Sequence, residues 1–260
     1  MTSGMTHRAL PEDPSLLQVP EAERSAIAAS WRGRAKNELT TSTVFANLAR
    51  ALVGLQAPHA IVRLAAEAVA DEVRHAEICM HVARAYSPGC APPEASSVVE
   101  PARFNGDPKL GTMLFAVTQS CINEGVAAVY LQRCLDEAEH PLARAAVRDI
   151  LEDEIEHARF GWSLVASPFM RPAWRGDLAE ALPTLLGLVA DAWIAQHDEE
   201  PPLVPKGHGA ISPPELARAV KNALDDLVVP GFARAGIDVS RARAWLAVRR
   251  WPTVVASGVK

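Results

Sequence analysis

The sequence predicts an all-α protein, and two observations carry that prediction. The 20 prolines are unevenly spaced and leave four long windows without proline, residues 21–57, 59–87, 109–140 and 142–167. Because proline costs a helix interior about 3 kcal/mol, each window can hold one long helix. Alanine is abundant and aromatic residues make up only 5% of the chain, a composition that favours helices over strands.

Each window carries apolar residues at the three- and four-residue spacing of an amphipathic helix. The first window contains Ile27, Trp31, Phe45 and Leu52 on such a stripe, and the fourth contains Val147, Ile150 and Leu164. Every stripe is interrupted near its middle by a glutamate, and two of the stripes are also interrupted by a histidine. The acidic residues are therefore predicted to face the core of the protein and not the solvent.

The joints between the windows predict how the helices are arranged. Pro58 and Pro141 lie in short joints, so the first and second helices, and the third and fourth, are predicted to be antiparallel neighbours. Residues 88–108 can span up to about 70 Å when extended. A 30-residue helix is about 45 Å long. This segment can therefore cross the length of a bundle, which predicts two hairpins joined by one long crossover.

The rest of the chain is assigned by its prolines and its polarity. Residues 1–20 are predicted to be a flexible tail, residues 21–167 the four-helix bundle, and residues 168–260 a helical extension that packs on the bundle. Candidate helices in the extension are residues 176–198, 214–228 and 239–250, which proline-rich joints separate.

Charge and cysteine usage narrow the class of protein. The formal net charge is −5, which argues against nucleic acid as the main partner. No run approaches 18 uninterrupted apolar residues, so no membrane span is predicted, and the N-terminus lacks the apolar region of a signal peptide. The four cysteines form no C-x-x-C pair, which favours a reduced, cytoplasmic protein.

Two E-x-x-H pairs, Glu72 with His75 and Glu154 with His157, carry the clearest chemical signal. Residues three apart lie about 4.5 Å apart along a helix axis and on the same face, so each pair can ligate one metal ion. A lone E-x-x-H is weak evidence, but this sequence has two, and both interrupt apolar stripes.

The single glutamates of the other two windows strengthen this signal. Glu38 and Glu72 are equidistant from the first joint, so antiparallel pairing places them at the same height in the bundle. Glu124 and Glu154 are equidistant from the second joint and are placed in the same way. Four carboxylates in a core are untenable without compensation. Two divalent metal ions carry four positive charges, which would balance them.

Four glutamates and two histidines in this arrangement match the ligand set of di-iron and di-manganese helix bundles. Both motifs also read D-E-x-x-H, with Asp71 before Glu72 and Asp153 before Glu154. On these residues the chain, over about residues 25–167, resembles the ferritin-like di-iron carboxylate superfamily, including its bacterial hydrocarbon monooxygenases and acyl-carrier-protein desaturases.

The resemblance implies a ferritin-like four-helix bundle that holds two Fe ions, with Mn as the other option. The implied metal ligands, which are also the catalytic residues, are Glu38, Glu72, His75, Glu124, Glu154 and His157. It further implies that Asp71 and Asp153 orient the ligating histidines across the helix pair, and that Arg74 holds one of these two carboxylates.

The resemblance also implies a non-haem di-iron enzyme that uses O₂ to hydroxylate, desaturate or N-oxygenate a small organic or acyl substrate. The chain has no glycine-rich nucleotide loop, flavin fingerprint or Cys₄ cluster, so its electrons are expected from a ferredoxin, a flavodoxin or a reductase. Two alternatives stay open: a manganese catalase-like protein that dismutates peroxide, and an iron-oxidising or storage protein. The C-terminal helices either cap the bundle or form the interface of a homodimer.

Small residues near the predicted ligands have a packing interpretation. Gly161 lies one turn after His157 and is predicted to allow close helix packing. Cys79, one turn after His75, and Ser120, one turn before Glu124, are interpreted as core residues.

Overall fold

The computed structural model describes residues 9–94, 107–195 and 204–252. In these ranges all regular secondary structure is helical and no β-strand occurs, in agreement with the predicted all-α class. Four long helices occupy the four windows without proline: α1 is Glu21–Gly54, α2 is His59–Tyr86, α3 runs through Pro108–Val117, Thr118–Asn123 and Glu124–Glu137, and α4 is Pro141–Ala166.

Prolines set the starts of these helices for a simple reason. Helices α3 and α4 begin at Pro108 and Pro141, where the missing N–H would have had no helical partner. Asp107 caps α3, because its side chain accepts a hydrogen bond of 2.8 Å from the backbone N–H of Lys109. Gln56, with a φ of 57°, reverses the chain between α1 and α2.

The long helices form two antiparallel hairpins. Helix α1 packs along α2, α3 packs along α4, and α2 also contacts α4. Arg32, near the start of α1, donates a hydrogen bond of 2.9 Å to the carbonyl of Ala91, just beyond the end of α2. Arg144, near the start of α4, donates to the carbonyl of Leu135, near the end of α3. Most of the predicted crossover, residues 95–106, lies outside the described ranges.

Helix α3 is interrupted by one π-helical segment, Thr118–Asn123, directly before Glu124. Such segments are rare and are frequent at functional sites. Gly161 of α4 faces this segment, and a Cβ at Gly161 would lie only 2.7 Å from the Cβ of Ser120 and 2.8 Å from the Sγ of Cys121. The two helices therefore approach each other closely at the point where α3 widens.

The described part of the C-terminal region contains three further helices. Helix α5 is Pro172–Ala195, α6 runs through Pro213–Asn222, Ala223–Val228 and Val229–Arg234, and α7 is Ser240–Val248. Helix α5 begins earlier than predicted because Pro172 occupies its first turn. Helix α6 passes Pro230, since this proline follows a π-helical segment and stands in the first turn of a new α-helical segment.

The part of the N-terminal segment that the structure describes, residues 9–20, differs from the predicted flexible tail. Pro14–Gln18 forms a 3₁₀ helix, which the Asp13 side chain caps through the backbone N–H of Ser15 at 3.1 Å. Leu16 is buried in the core. Burial of one leucine side chain stabilises by about 2 kcal/mol, which offsets part of the cost of ordering this turn. Residues 1–8 lie outside the described ranges.

A loop of the C-terminal region closes one end of the hairpins. The indole N–H of Trp31 donates a hydrogen bond of 3.0 Å to the carbonyl of His208, and the backbone N–H of Glu139 donates one of 3.0 Å to the carbonyl of Gly207. The ring of His208 is stacked on that of His140, with centroids 4.1 Å apart. These contacts join the C-terminal region to α1 and to the joint between α3 and α4.

Two helices among the described residues are long and apolar enough to cross a membrane by length and composition alone, Lys109–Glu137 and Pro172–Ala195. In the first, 67% of the apolar window is buried inside the protein, against 33% in the second. Buried helices of proteins in solution meet the same two criteria, so this is weak evidence. The expected absence of a membrane span stays a prediction.

Candidate metal centre

The structure brings all six predicted ligands together between the four long helices. They form two groups, each of which could hold a metal ion, since its ligand atoms lie within 4.8 Å of one another. The first group contains Glu38, Glu72, His75 and Glu154, and the second contains Glu72, Glu124, Glu154 and His157.

Glu72 and Glu154 belong to both groups and lie between the two histidines. The Nδ1 atom of His75 is 3.3 Å from Oε1 of Glu154 and 3.7 Å from Oε2 of Glu72. The Nδ1 atom of His157 is 3.2 Å from Oε1 of Glu72 and 3.2 Å from Oε2 of Glu154. Each shared carboxylate therefore presents one oxygen to either side, an arrangement that suits a bridge between two metal ions, with Glu38 and Glu124 as the terminal ligands.

Five of the six residues are buried. Glu72 and His75 are 0% exposed, and Glu124, Glu154 and His157 are at most 3% exposed. Glu38 is half-buried. A buried carboxylate without a partner carries a desolvation cost of several kcal/mol. Four such groups in contact therefore require either bound protons or bound cations.

The outer nitrogen of each histidine faces the aspartate of the other D-E-x-x-H motif. His75 Nε2 lies 3.1 Å from Oδ2 of Asp153, and His157 Nε2 lies 3.5 Å from Oδ2 of Asp71. The predicted cross-helix hydrogen bond is present for His75, whereas Nε2 of His157 faces Asp71 at the longer distance and has no hydrogen-bond partner among the described residues. A carboxylate on Nε2 keeps the proton there and leaves Nδ1 free as a metal ligand.

Arg74 contacts Asp153, one of the two carboxylates that the sequence suggested for it. Its Nη1 atom also lies 3.1 Å from Oδ2 of Asp149, one turn earlier on α4. The sequence analysis missed Asp149. The spacing of four residues between Asp149 and Asp153 was the available signal, because it places both acids on one helix face.

The unpaired atoms of the site fit a metal better than a closed hydrogen-bond network. Among the described residues, neither oxygen of the Glu72 carboxylate has a hydrogen-bond partner, and the same holds for Nδ1 of His75. When Asp153 holds the proton of His75 on Nε2, the lone pair of Nδ1 points at carboxylate oxygens, which repel it. A divalent cation between these atoms accepts all of the lone pairs, and carboxylate with imidazole is a donor set that suits Fe and Mn.

The pKa values of the buried glutamates reflect the repulsion between their charges. Burial, followed by the charges of Glu72 and Glu154, raises the pKa of Glu38 well above its usual range. Burial and the same two neighbours, with Glu154 first, also raise the pKa of Glu124. Burial alone would raise the pKa of Glu154, but the histidines outweigh burial and hold it well below its usual range. The cluster thus carries more negative charge than its own residues can neutralise.

For the two histidines, burial and the neighbouring carboxylates shift the pKa in opposite directions. Burial alone would lower the pKa of His75, but the nearby carboxylates of Asp153, Glu154 and Glu72 raise it well above the usual range. Burial would likewise lower the pKa of His157, but Glu154 and Asp71 outweigh it and raise the pKa. Without a metal the histidines therefore retain protons, and these protons occupy the place of a cation.

Apolar residues hold the ligands in place. The ring of Phe45 packs against that of His157, with centroids 5.3 Å apart.

Cys79 is fully buried, and burial, with the charge of Glu38, raises the pKa of its thiol. A thiol that stays protonated is a weak nucleophile, which agrees with the interpretation of Cys79 as a core residue. Ser120 is also fully buried, and its hydroxyl has no hydrogen-bond partner.

A cavity of about 730 Å³ adjoins the site between α1 and α3. All four glutamates of the metal groups line it, whereas neither histidine does. Its walls also include Arg34, Asn37 and Tyr130, which the sequence analysis did not single out. No sequence signal marks them, because a cavity is a gap between helices and leaves no periodic pattern.

Comparison with protein-family models, with curated proteins and with solved structures yields no match for this chain.

Proposed function

We propose that this protein is a ferritin-like di-iron oxygenase, which uses O₂ to oxidise a small organic or acyl substrate. One observation carries the proposal. The two glutamates that belong to both metal groups, and the further glutamate of each group, border a cavity of about 730 Å³. Ligand pockets of proteins commonly have volumes of about 300 to 1,000 Å³. A metal centre that only stores iron does not need such a cavity.

In this proposal one iron ion would be held by Glu38, Glu72, His75 and Glu154. The other would be held by Glu72, Glu124, Glu154 and His157. When bound, the di-iron centre supplies the capacity to reduce O₂ and to oxidise a substrate that lies beside it. The fold would be the ferritin-like bundle of two hairpins and one crossover, with the C-terminal helices packed on it.

The protein residues have separate tasks in this scheme. Asp71 and Asp153 hold the protons on the outer nitrogens of the histidines, so that the inner nitrogens bind metal. Arg74 fixes Asp153 and balances its charge. Phe45 restricts the position of His157. The cavity would orient the substrate next to the carboxylates.

Electrons for turnover would come from a ferredoxin, a flavodoxin or a reductase, because the sequence contains no redox module of its own. We further propose a cytoplasmic location, in line with the cysteine usage. We also propose that the protein forms a homodimer.

The proposal is tested on the full chain. The protein is loaded anaerobically with Fe(II), the bound metal is measured by mass spectrometry, and O₂ uptake is followed with an oxygen electrode. The expected result is about two Fe per chain and O₂ uptake that depends on the bound iron. Glu154→Gln is expected to abolish both, whereas Glu156→Gln, an exposed control two residues later, is expected to change neither.

Other results would contradict the proposal. Two Mn per chain with rapid dismutation of peroxide indicates a catalase-like protein. A cage-sized assembly that accumulates many Fe ions per chain indicates storage. Absence of bound metal, together with unchanged folding in Glu72→Ala and Glu154→Ala, rules out the metal centre.

A further inference from the structure

We propose that the cavity beside the metal centre binds an organic carboxylate with an apolar chain, and that the Arg34 guanidinium holds its carboxylate group. This inference rests on the proposed function, since it names the substrate class of the same site. Four features of the cavity carry it: the fixed position of Arg34, its lack of a salt bridge, the charge of the walls, and the distance from Arg34 to the metal ligands.

Arg34 lines the cavity and is held in place by uncharged groups. Its Nη2 atom donates one hydrogen bond of 2.9 Å to the hydroxyl of Tyr130 and another of 3.0 Å to the carbonyl of Gly209. The guanidinium also lies 4.5 Å from the ring centroid of Trp31 and 5.5 Å from that of Tyr130. A guanidinium fixed in this way is already oriented for a ligand, which lowers the entropic cost of binding.

Arg34 forms no salt bridge in the described part of the chain, although the charge of Glu38, four residues later, acts on it. No carboxylate lies within salt-bridge distance of it there, and its Nη1 atom is buried without a hydrogen-bond partner. A buried cation without an anion is costly, and a guanidinium with a free N–H matches the planar geometry of a carboxylate. An anionic ligand group would therefore complete this site.

The other ionisable groups of the cavity support an anionic ligand. Apart from the four glutamates of the metal groups, the ionisable lining residues among those described are Arg34, Lys36 and Tyr130. Two divalent ions would offset the four glutamates, which leaves the guanidinium of Arg34 as a cation in the wall that forms no salt bridge among the described residues. The metal-loaded cavity is thus positively charged, a condition that favours an anion over a neutral or cationic substrate.

The position of Arg34 sets a minimum length for the ligand. Arg34 precedes Glu38 by four residues on α1, a rise of about 6 Å, and Tyr130 follows Glu124 by six residues on α3, a rise of about 9 Å. The wall also contains apolar residues, among them Ala127, Leu131, Val204 and Ile211. A carboxylate on Arg34 therefore needs an apolar chain to reach the metal centre, and oxidation would fall away from the carbon next to the carboxylate.

The test is a calorimetric titration of the full chain loaded with Zn(II), which is redox-silent. The probes are octanoate, the neutral octanamide of equal length, and acetate. We expect octanoate to bind at least about tenfold more tightly than either of the other two, a difference within reach of one charged hydrogen-bonded pair. Equal affinity for octanoate and octanamide would overturn the inference.

Variants assign the binding to Arg34. Arg34→Gln is expected to weaken octanoate binding about tenfold or more and to leave octanamide unchanged, and Arg34→Lys to have an intermediate effect. Arg32→Gln removes the same charge from α1 outside the cavity and should match the unmodified protein. Unchanged octanoate affinity in Arg34→Gln contradicts the proposal, because the carboxylate would then bind elsewhere, for example at the metal.

The outcome of this binding test can be distinguished from the outcome of the oxygenase test. Metal content and melting temperature are recorded for each variant, so a loss of folding or of metal is not mistaken for a loss of the anion site. If Fe(II) loading produces no O₂ uptake but octanoate still depends on Arg34, only the oxygenase proposal fails. If O₂ uptake occurs but octanoate and octanamide bind alike, only the carboxylate inference fails.

Discussion

His75 and Asp153 belong to different helices and to different D-E-x-x-H motifs, yet Nε2 of the histidine lies 3.1 Å from Oδ2 of the aspartate. His157 and Asp71 repeat the relationship at 3.5 Å. Each motif therefore contributes two candidate metal ligands, and its aspartate faces the histidine of the other motif. A change in one aspartate should therefore alter the orientation of the histidine on the opposite helix.

The first prediction concerns this orientation. Asp153→Asn removes the carboxylate that keeps the His75 proton on Nε2, and we expect metal affinity to fall about 10- to 100-fold. Affinity is measured by competition with a coloured chelator. Glu156→Gln serves as the control, since Glu156 is exposed and contacts Arg159. An affinity equal to that of the unmodified protein would show that Asp153 does not orient the ligand.

The second prediction separates shared from terminal ligands. Glu72→Gln removes the negative charge that both metal groups share, so both ions should be lost, whereas Glu124→Gln affects one group and should leave about one ion per chain. Metal content by mass spectrometry distinguishes these results. Loss of the same amount of metal in both variants would show that Glu72 is not a bridge.

The third prediction is the pH dependence of the metal-free protein. The raised pKa values of His75 and His157 contribute stability that is complete below the unfolded-state pKa of about 6.5 and is lost as the pH rises through the folded-state values. The raised pKa values of Glu38 and Glu124 act in the same direction, since the unfolded chain releases these protons first. The free energy of unfolding should therefore fall as the pH rises above about 6.5.

The metal-loaded protein should behave in the opposite way. Metal competes with protons for the same atoms, so metal binding, and with it stability, rises with pH over the same range. Urea denaturation of the metal-free and Zn(II)-loaded proteins at three pH values provides the measurement. Parallel curves for the two forms would contradict a metal site at these residues.

The fourth prediction concerns Gly161. A methyl group there would lie 2.7 Å from the backbone carbon and the Cβ of Ser120, so Gly161→Ala must displace the π-helical segment that precedes Glu124. We expect a loss of about 1 to 3 kcal/mol in unfolding free energy, together with weaker metal binding. Gly176→Ala is the control, because no atom lies within 4 Å of a Cβ there. Unchanged metal binding in Gly161→Ala would separate the segment from the site.

The positions of the long helices could be predicted because proline acts locally. A proline removes a hydrogen bond of its own turn, which favours helix starts such as those at Pro141 and Pro172, although Pro183 lies inside helix α5. The same argument was weaker at Pro230, where an adjacent π-helical segment lets helix α6 continue. The 3₁₀ helix at residues 14–18 was missed for a related reason, since burial of Leu16 against the core stabilises it and no pattern within the segment does.

The sequence by itself determined the helix windows and the six candidate ligands, because periodicity and spacing are properties of a single helix. Only the tertiary structure decided that Glu72 and Glu154 are shared, that Asp149 joins Arg74, and that a cavity with Arg34 in its wall adjoins the site. These features arise where different helices meet. They depend on the rotation and separation of neighbouring helices, which residues far apart in the chain set together.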